Sequence, residues 1–245
     1  MSSLALGSPD TRAGLGRLWR LPGVYAPDQD TWLLAQAVRA EIEPGMKVLD
    51  IGTGTGALAL CAARLGARAT AVDVSWRAAA SVRLNSVRMR LPVTVRKGSA
   101  EAAAALGPFD LVISNPPYVP APEVRVPTRG PARSWDAGPD GREVLDRLCA
   151  SAPGLLNPNG ALLVVQSAMC GTDTTLRRMA ASGMEPAVVD RLHVPFGPVM
   201  RSRLDWLRSR GLVGAGESDE ELVVIRARMR RQEEAAAPGR DRSAA

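Results

Sequence analysis

Four consecutive residues, Asn115, Pro116, Pro117 and Tyr118, have the types and order needed to hold an amino group. They follow the apolar run 109–114, which predicts a buried strand that ends at this turn. Pro116 restricts Asn115 to extended backbone, and neither proline carries an N–H. The turn therefore offers acceptors, the Asn115 side-chain oxygen and the Pro116 carbonyl, to the two hydrogens of an incoming –NH2 group.

The chemistry that such a turn supports is substitution at nitrogen. The lone pair of a carboxamide or an aromatic amine is delocalised, so its nitrogen is a weak nucleophile. Acceptors that hold both hydrogens favour a pyramidal nitrogen and direct its lone pair at an electrophilic carbon, and positioning then limits the reaction. Tyr118 would form a wall against the planar group, and no strong base is required of a chain whose single histidine is His193. The alternative is a plain turn that ends a strand.

A glycine-rich loop, with Gly52, Gly54 and Gly56, lies between an apolar run and a helical pattern. Glycine permits positive φ and a close approach of backbone to ligand, and the start of the following helix presents free N–H groups. With Ala57, the first two glycines also satisfy the dinucleotide pattern G-x-G-x-x-G/A. The loop alone leaves both a dehydrogenase and a methyltransferase open.

Two acidic residues narrow that choice. Asp73 ends the next predicted strand, 21 residues beyond Gly52, where a carboxylate can accept both ribose hydroxyls of an adenosine. Asp50 would oppose a pyrophosphate, whereas its charge suits a ligand that carries an ammonium and a sulfonium. We therefore favour S-adenosylmethionine over a dinucleotide. The alternative for Asp50 is a strand-end aspartate that caps the turn.

The elements that must position these residues alternate between strand and helix. Short apolar runs separated by helical patterns predict an α/β fold, doubly wound, with a mostly parallel seven-stranded sheet. The last strand follows a long irregular segment and could enter antiparallel. The predicted strands are 46–51, 69–74, 92–96, 109–114, 161–166, 186–192 and 221–227. The predicted helices are 56–65, 77–90, 142–152 and 172–182.

We divide the chain into a flexible N-terminal arm (1–22), a folded domain (23–228) and a disordered basic tail (229–245). Within the domain, the Pro- and Gly-rich connection 119–140 has the length of a functional lid. The segment 193–220 interrupts the alternation a second time.

One helical face in that second segment is formed by Met200, Leu204 and Leu207. This spacing predicts a single helix over 200–211, which either covers the sheet edge or faces the substrate.

Composition excludes several classes of protein. The 245 residues carry a net charge of +6, but residues 226–245 hold six arginines against three acidic residues, and residues 1–22 hold three against one. Without these two ends, the net charge of residues 23–225 is close to zero, which argues against a groove that binds nucleic acid. Three cysteines and one histidine cannot form a disulfide framework or a Cys/His zinc site, so we expect no metal. The sequence shows no secretory signal or apolar membrane span, which predicts a cytoplasmic protein.

In their order along the chain, these motifs resemble the class I S-adenosylmethionine-dependent methyltransferases of the HemK type, the release-factor glutamine methyltransferases. Residues 23–31 are similar to the Y-x-P-x-x-D-T segment of the short eukaryotic and archaeal branch, and residues 135–147 to the signature after the catalytic turn. The similarity covers about residues 23–192 and the last strand. It implies a Rossmann-like fold and methylation of a protein side-chain nitrogen, most simply the glutamine amide of a peptide-release factor.

The resemblance also implies roles for individual residues. The predicted catalytic residues are Asn115, which would reach the accepting nitrogen, Pro116, Pro117 and Tyr118. The predicted cofactor-binding residues are Tyr25, Thr31, Asp50, Gly52, Gly54, Gly56, Asp73, Ser99, Ala100 and Asn115. Tyr25 could instead merely pack, and Thr31 could be a helix N-cap. Ser99 stands where family members often carry an acid near the adenine amino group.

Members of the short branch often work with a small zinc-binding activator subunit, so the resemblance implies a partner of that kind. Other acceptors stay open, because a neutral lysine amine or an adenine amine on nucleic acid also offers hydrogens and a lone pair. A small-molecule acceptor is a third choice. A non-catalytic cofactor-binding module would not need the intact turn at Asn115.

Overall fold

Seven strands and eight α-helices alternate along residues 16–230, the part of the chain that this computed structural model describes. The strands are β1 (Lys47–Ile51), β2 (Arg68–Asp73), β3 (Val93–Lys97), β4 (Phe109–Ser114), β5 (Leu156–Ser167), β6 (Met184–Pro195) and β7 (Asp219–Met229). The helices are α1 (Gln29–Glu41), α2 (Ala57–Arg64), α3 (Trp76–Met89), α4 (Ala100–Ala103), α5 (Glu143–Ser151), α6 (Thr172–Ala181), α7 (Pro198–Ser202) and α8 (Leu204–Ser209). Every one of these helices is too short or too polar to cross a bilayer.

All seven strands join one sheet in the order β3-β2-β1-β4-β5-β7-β6. The strands β1 to β5 pair in parallel, and β7 pairs antiparallel with both β5 and β6. The predicted doubly wound, mostly parallel seven-stranded sheet is confirmed, including the antiparallel last strand. The strand order reverses between β1 and β4, so the carboxyl ends of these two strands border the crevice where such sheets bind ligands.

Helices cover both faces of the sheet. Successive residues of a strand point to opposite faces, so neighbouring residues of β1 and β4 enter different cores. Val48 and Ile113 belong to the core that includes α1, α2 and α3. Leu49 and Val112, their immediate neighbours along the chain, belong to the core that includes α5 and α6. Burial on both faces explains the unbroken apolar runs and fixes the strand ends that carry the site.

Helix α1 is absent from the predicted elements, although Leu34 and Val38 fall four residues apart on its buried face. Its N-cap is Asp28, whose carboxylate accepts the Gln29 N–H at 2.8 Å. The interpretation of Thr31 as the N-cap is therefore wrong. The Asp28 carboxylate, one turn earlier, accepts an N–H at the helix start, which leaves the threonine hydroxyl available for other contacts.

Residues 16–22 contact the folded domain, although they belong to the predicted flexible arm. The Trp19 N–H donates to the side-chain oxygen of Asn85, and the Asn85 amide donates to the Trp19 carbonyl, both at 2.8 Å. Because Asn85 lies on α3, 66 residues away, local composition could not predict this attachment. Residues 1–15 of the arm and 231–245 of the predicted tail lie outside the described residues.

The segment 193–220 contains two short helices, so the prediction of one continuous helix is wrong. The break falls at Arg203, between α7 and α8. Met200 and Leu207 are buried in a small separate core, against which Val119 packs. The apolar face was therefore predicted correctly, but the backbone turns at Arg203 to present it.

Candidate active site

A cavity of about 750 Å³ opens at the carboxyl ends of β1, β2 and β4. The predicted site residues that line it are Tyr25, Thr31, Asp50, Gly52, Gly54, Asp73, Ser99, Ala100, Asn115, Pro116, Pro117 and Tyr118. Among the described residues, Gly56 is the one predicted site residue that does not. A side chain at Gly56 would approach Val82 of α3 to 2.9 Å, so this glycine serves the close packing of α3 under the loop.

The glycine loop turns through left-handed backbone, with φ of +70° at Gly52 and +57° at Gly54. A Cβ at Gly52 would meet open space, so its backbone conformation, and not crowding, requires glycine. The Gly52 N–H donates to the Val72 carbonyl at 2.9 Å, and the Gly54 N–H donates to Asp73 Oδ2 at 3.1 Å. The loop is therefore held against the end of β2.

Asp50 is buried at the end of β1 and uses one carboxylate oxygen to stabilise the turn. Its Oδ2 accepts from Thr53 Oγ1 at 2.6 Å and from the Ala59 N–H at 3.1 Å. Its Oδ1 has no hydrogen-bond partner among residues 16–230. Burial raises the pKa of Asp50 to about 7, against the lowering effect of those two hydrogen bonds. The free acceptor beside the cavity fits a cationic ligand group.

Asp73 is part-buried at the end of β2, and each of its oxygens accepts one backbone N–H. The donors are Ser75 at 2.7 Å and Gly54 at 3.1 Å. Burial raises the pKa of Asp73, while these two bonds and the charge of Arg133 oppose the rise. Each carboxylate oxygen keeps a lone pair for a hydroxyl of a ligand.

The side chain of Asn115 is oriented by α1. Its Nδ2 donates to Thr31 Oγ1 at 3.2 Å, and Thr31 Oγ1 in turn donates to Asp30 Oδ1 at 3.1 Å. This chain of contacts engages the donor side of the Asn115 amide. The acceptor, Oδ1, is then the group that Asn115 offers to the cavity.

Asp30 accepts hydrogen bonds from several residues of this part of the site, although it is not among the predicted site residues. It is only 5% exposed. Its Oδ2 accepts from the hydroxyls of Tyr25 and Tyr118, both at 3.1 Å, and its Oδ1 accepts from the backbone and side chain of Thr31. Its place beside Thr31 in the Y-x-P-x-x-D-T segment was the available signal.

Both tyrosines of the site are held as protonated donors. Burial raises the pKa of Tyr118 well above 10, and the neighbouring Asp30 raises it further. The same two causes, in the same order, raise the pKa of Tyr25. A phenol that cannot ionise serves as a fixed wall and hydrogen-bond donor and cannot act as a base near neutral pH.

The connection 119–140 supplies one wall of the cavity through Val119 and two stretches, 125–128 and 133–135. Helix α5 adds Glu143, Val144, Arg147 and Leu148. No residue of the described segment 193–220 lines the cavity, which favours its interpretation as a covering element. Trp135, Glu143, Val144 and Arg147 fall within the signature 135–147, whereas residues 125–128 carry no predicted motif and approach the strand ends only in the folded chain.

Comparison with known proteins agrees with this geometry. The methyltransferase small domain family matches residues 16–128. Among solved structures, the Mtq2–Trm112 complex of E. cuniculi, described as responsible for methylation of the eRF1 translation termination factor, superimposes with a TM-score of 0.56 at 20% identity. The alignment covers 85% of this chain and 99% of that chain, and it shows a shared fold.

Sequence relatives carry the comparison further. The methyltransferase HEMK2 of Mus musculus is 33% identical over 172 residues, which span 66% of this chain and 80% of HEMK2. The release factor glutamine methyltransferase of Rhodospirillum rubrum is 37% identical over 147 residues, which span 56% of this chain and 45% of that enzyme. The match runs along most of the short relative and less than half of the long one. The chain therefore belongs to the HemK family of methyltransferases, on the side of its short branch.

Proposed function

We propose that this chain transfers the methyl group of S-adenosylmethionine to the glutamine amide of a peptide-release factor. The observation that carries the proposal is the orientation of Asn115, whose Nδ2 is engaged by Thr31 so that Oδ1 is offered to the acceptor. A carboxamide has the two hydrogens that this oxygen and the Pro116 carbonyl can accept. The names of the mouse and Rhodospirillum relatives support the same class of reaction.

The residues at the turn would act by position and electrostatics. S-adenosylmethionine, when bound, supplies a methyl carbon on a cationic sulfur. Asn115 Oδ1 and the Pro116 carbonyl would hold the amide hydrogens, which directs the nitrogen lone pair at that carbon. The N–C bond would form as the carbon–sulfur bond breaks, and the nitrogen would release one of its two hydrogens to water as a proton. Because Pro116 and Pro117 restrict the backbone, these acceptors need little reorganisation as positive charge develops on the nitrogen. Tyr118 fixes the wall against which the planar amide lies.

The residues present fit the cofactor. Asp73 has lone pairs on both oxygens for the two ribose hydroxyls. Asp50 Oδ1, buried and without a partner among the described residues, fits the ammonium of the methionine part. The left-handed turns at Gly52 and Gly54 bring backbone close to the ligand without side chains in the way.

The proposal is tested with purified protein, methyl-labelled S-adenosylmethionine and the release factor of the same organism. We expect label in the release factor, at a glutamine identified by peptide mass spectrometry. Asn115→Ala is the matched control, because it removes the acceptor oxygen and leaves the cofactor contacts of Asp50 and Asp73. No label in the release factor, with a cofactor that binds, would contradict the choice of acceptor.

A lysate assay separates the remaining acceptors. Labelled product is divided between protease and nuclease treatment, with the Asn115→Ala protein alongside. Loss of label to protease supports protein methylation. Loss of label to nuclease overturns it in favour of an enzyme that methylates an exocyclic amine of nucleic acid.

A small zinc-binding activator subunit is part of the proposal, since the related fold of Mtq2 was solved as a complex with Trm112. We expect coexpression with such a subunit to raise the yield and activity of this chain. We also place the protein in the cytoplasm, where release factors act. Equal activity with and without the subunit would remove that partner from the proposal.

A further inference from the structure

Backbone hydrogen bonds close the loop 119–138 at its base. The Val119 N–H donates to the Trp135 carbonyl at 2.7 Å, and the Ala137 N–H donates to the Val119 carbonyl at 3.0 Å. A third bond joins the Ala121 N–H to the Gly138 carbonyl at 2.9 Å. These bonds form a stem. Val119 and Trp135 of the stem line the cavity, and so do residues 125–128, 133 and 134 of the stretch between its two sides.

Arg203 reaches across this stem from the break between α7 and α8. Its Nη1 donates to the Pro120 carbonyl at 3.0 Å on one side and to Asp136 Oδ1 at 2.6 Å on the other. The Asp136 side chain is 5% exposed and that of Arg203 is 19% exposed. One guanidinium therefore joins both sides of the stem, with a charge-assisted bond to a carboxylate that has little access to water.

The small core of segment 193–220 reinforces the same attachment. Val119, the first residue of the stem, packs against the cluster that contains Met200 and Leu207. Val119 also follows Tyr118 directly, so the stem begins where the catalytic turn ends. Trp135, which lines the cavity, precedes Asp136. The position of Arg203 is thus transmitted to both ends of the cavity-lining loop.

We propose that Arg203 is a positioning residue for acceptor binding, and that the segment 193–220 holds the loop 119–138 in place as a wall of the cavity. Arg203 touches neither the cavity nor the catalytic turn, so it acts through the stem. The part of the proposal that concerns the acceptor rests on the proposed function, whereas the attachment of the loop does not.

The test compares Arg203→Met with Arg203→Lys and with Arg208→Met, an exposed arginine on α8. We expect amide hydrogen exchange in 119–138 to become about tenfold faster in Arg203→Met, with exchange in β1 and β5 unchanged. The KM for the release factor should rise about tenfold while the cofactor Kd stays within about threefold. Both changes should be smaller in Arg203→Lys than in Arg203→Met, because the lysine ammonium replaces the charge of the guanidinium but not its shape. Arg208→Met should match the unsubstituted protein.

Because Arg203→Met leaves the Asp136 carboxylate buried and unpaired, the double variant Arg203→Met with Asp136→Asn is measured as well. It should fold and retain the faster exchange in 119–138. Exchange that accelerates equally in β1 and β5, or that matches Arg208→Met, overturns the proposal. So does faster loop exchange without a change in KM. If the unsubstituted protein does not methylate the release factor, the proposed function fails, and the exchange result still decides the attachment of the loop.

Discussion

The two halves of the cavity are held together in different ways. The glycine-loop half consists of Asp50, Gly52, Gly54 and Asp73, and its longest side-chain contact, from Gly54 to Asp73, spans 19 residues of sequence. The Asn115 half depends on contacts from Asn115 to Thr31 and from Tyr118 to Asp30, which span 84 and 88 residues. One half is encoded in a short motif, and the other exists only when the start of α1 meets the turn that follows β4.

This difference predicts a division of labour. Substitutions in the glycine-loop half should change cofactor affinity, because its groups, which are held by locally formed backbone, are the ones proposed to contact the cofactor. Substitutions in the Asn115 half should change the rate of transfer, because its groups orient the acceptor.

Asn115→Ala should lower the rate of methyl transfer by about a thousandfold, because it removes a preorganised acceptor of the amide hydrogens. The cofactor Kd should change by no more than about threefold. Single-turnover kinetics and calorimetric titration measure the two quantities separately. A loss of cofactor affinity as large as that of Asp73→Ala would contradict the role assigned to Asn115.

Asp73→Ala should raise the cofactor Kd by about a hundredfold, because two hydrogen bonds to a charged acceptor are lost. The kcat at saturating cofactor should stay within about threefold. Glu185→Ala, which removes an exposed carboxylate on β6, is the control. A reduced kcat with unchanged cofactor affinity would show that the halves are not divided as we propose.

Asp30→Asn should lower kcat by about tenfold, because the amide has one acceptor oxygen where the carboxylate has two, and Tyr25, Tyr118 and Thr31 compete for it. Tyr118→Phe in both backgrounds supplies a double-mutant cycle. If the two residues act as one unit, the double variant should be little slower than Asp30→Asn alone. Additive losses in kcat would show that Tyr118 and Asp30 act independently.

The pH dependence of cofactor binding should report Asp50. Its pKa of about 7 in the free protein means that the carboxylate gains charge as the pH rises, and the ionised form is the one that pairs with an ammonium. Between pH 6 and pH 7 the cofactor Kd should therefore fall by about fivefold, while an α-amino group stays mostly protonated. Asp50→Asn should bind weakly with a flat profile. A flat profile in the unsubstituted protein would contradict the pairing.

Much of the fold could be predicted because its signals are local. Apolar runs identified all seven strands, and the burial of β1, β4 and β5 on both faces explains why those runs are so clear. The position of β7 between β5 and β6 was not predictable, since the pairing of strands depends on which edges meet. The break at Arg203 was missed for a related reason. Its bonds to Pro120 and Asp136 lie more than sixty residues away along the chain.

The site residues also differ in whether a local motif or a distant contact places them. The motif gave Asp50, Gly52 and Gly54 their places beside the cavity, whereas Gly56 belongs to the packing against Val82. Asp30 was missed because a carboxylate at the start of a helix has an ordinary explanation in the N-terminal charge preference of helices. What distinguishes Asp30 from such a residue is its hydrogen bond from Tyr118, which follows the end of β4.

The place of β7 in the sheet has a consequence for synthesis on the ribosome. Strands β1 to β5 can pair as they emerge, but β7, which lies between β5 and β6, is made after both. Roughly 50 residues separate β5 from β7, which corresponds to several seconds of translation at roughly 5–20 residues per second. Throughout that interval the nascent chain carries an open edge on β5, and once residues 184–195 are made it also carries a β6 without its partner. This is the period in which chaperone contact and aggregation compete with completion of the sheet.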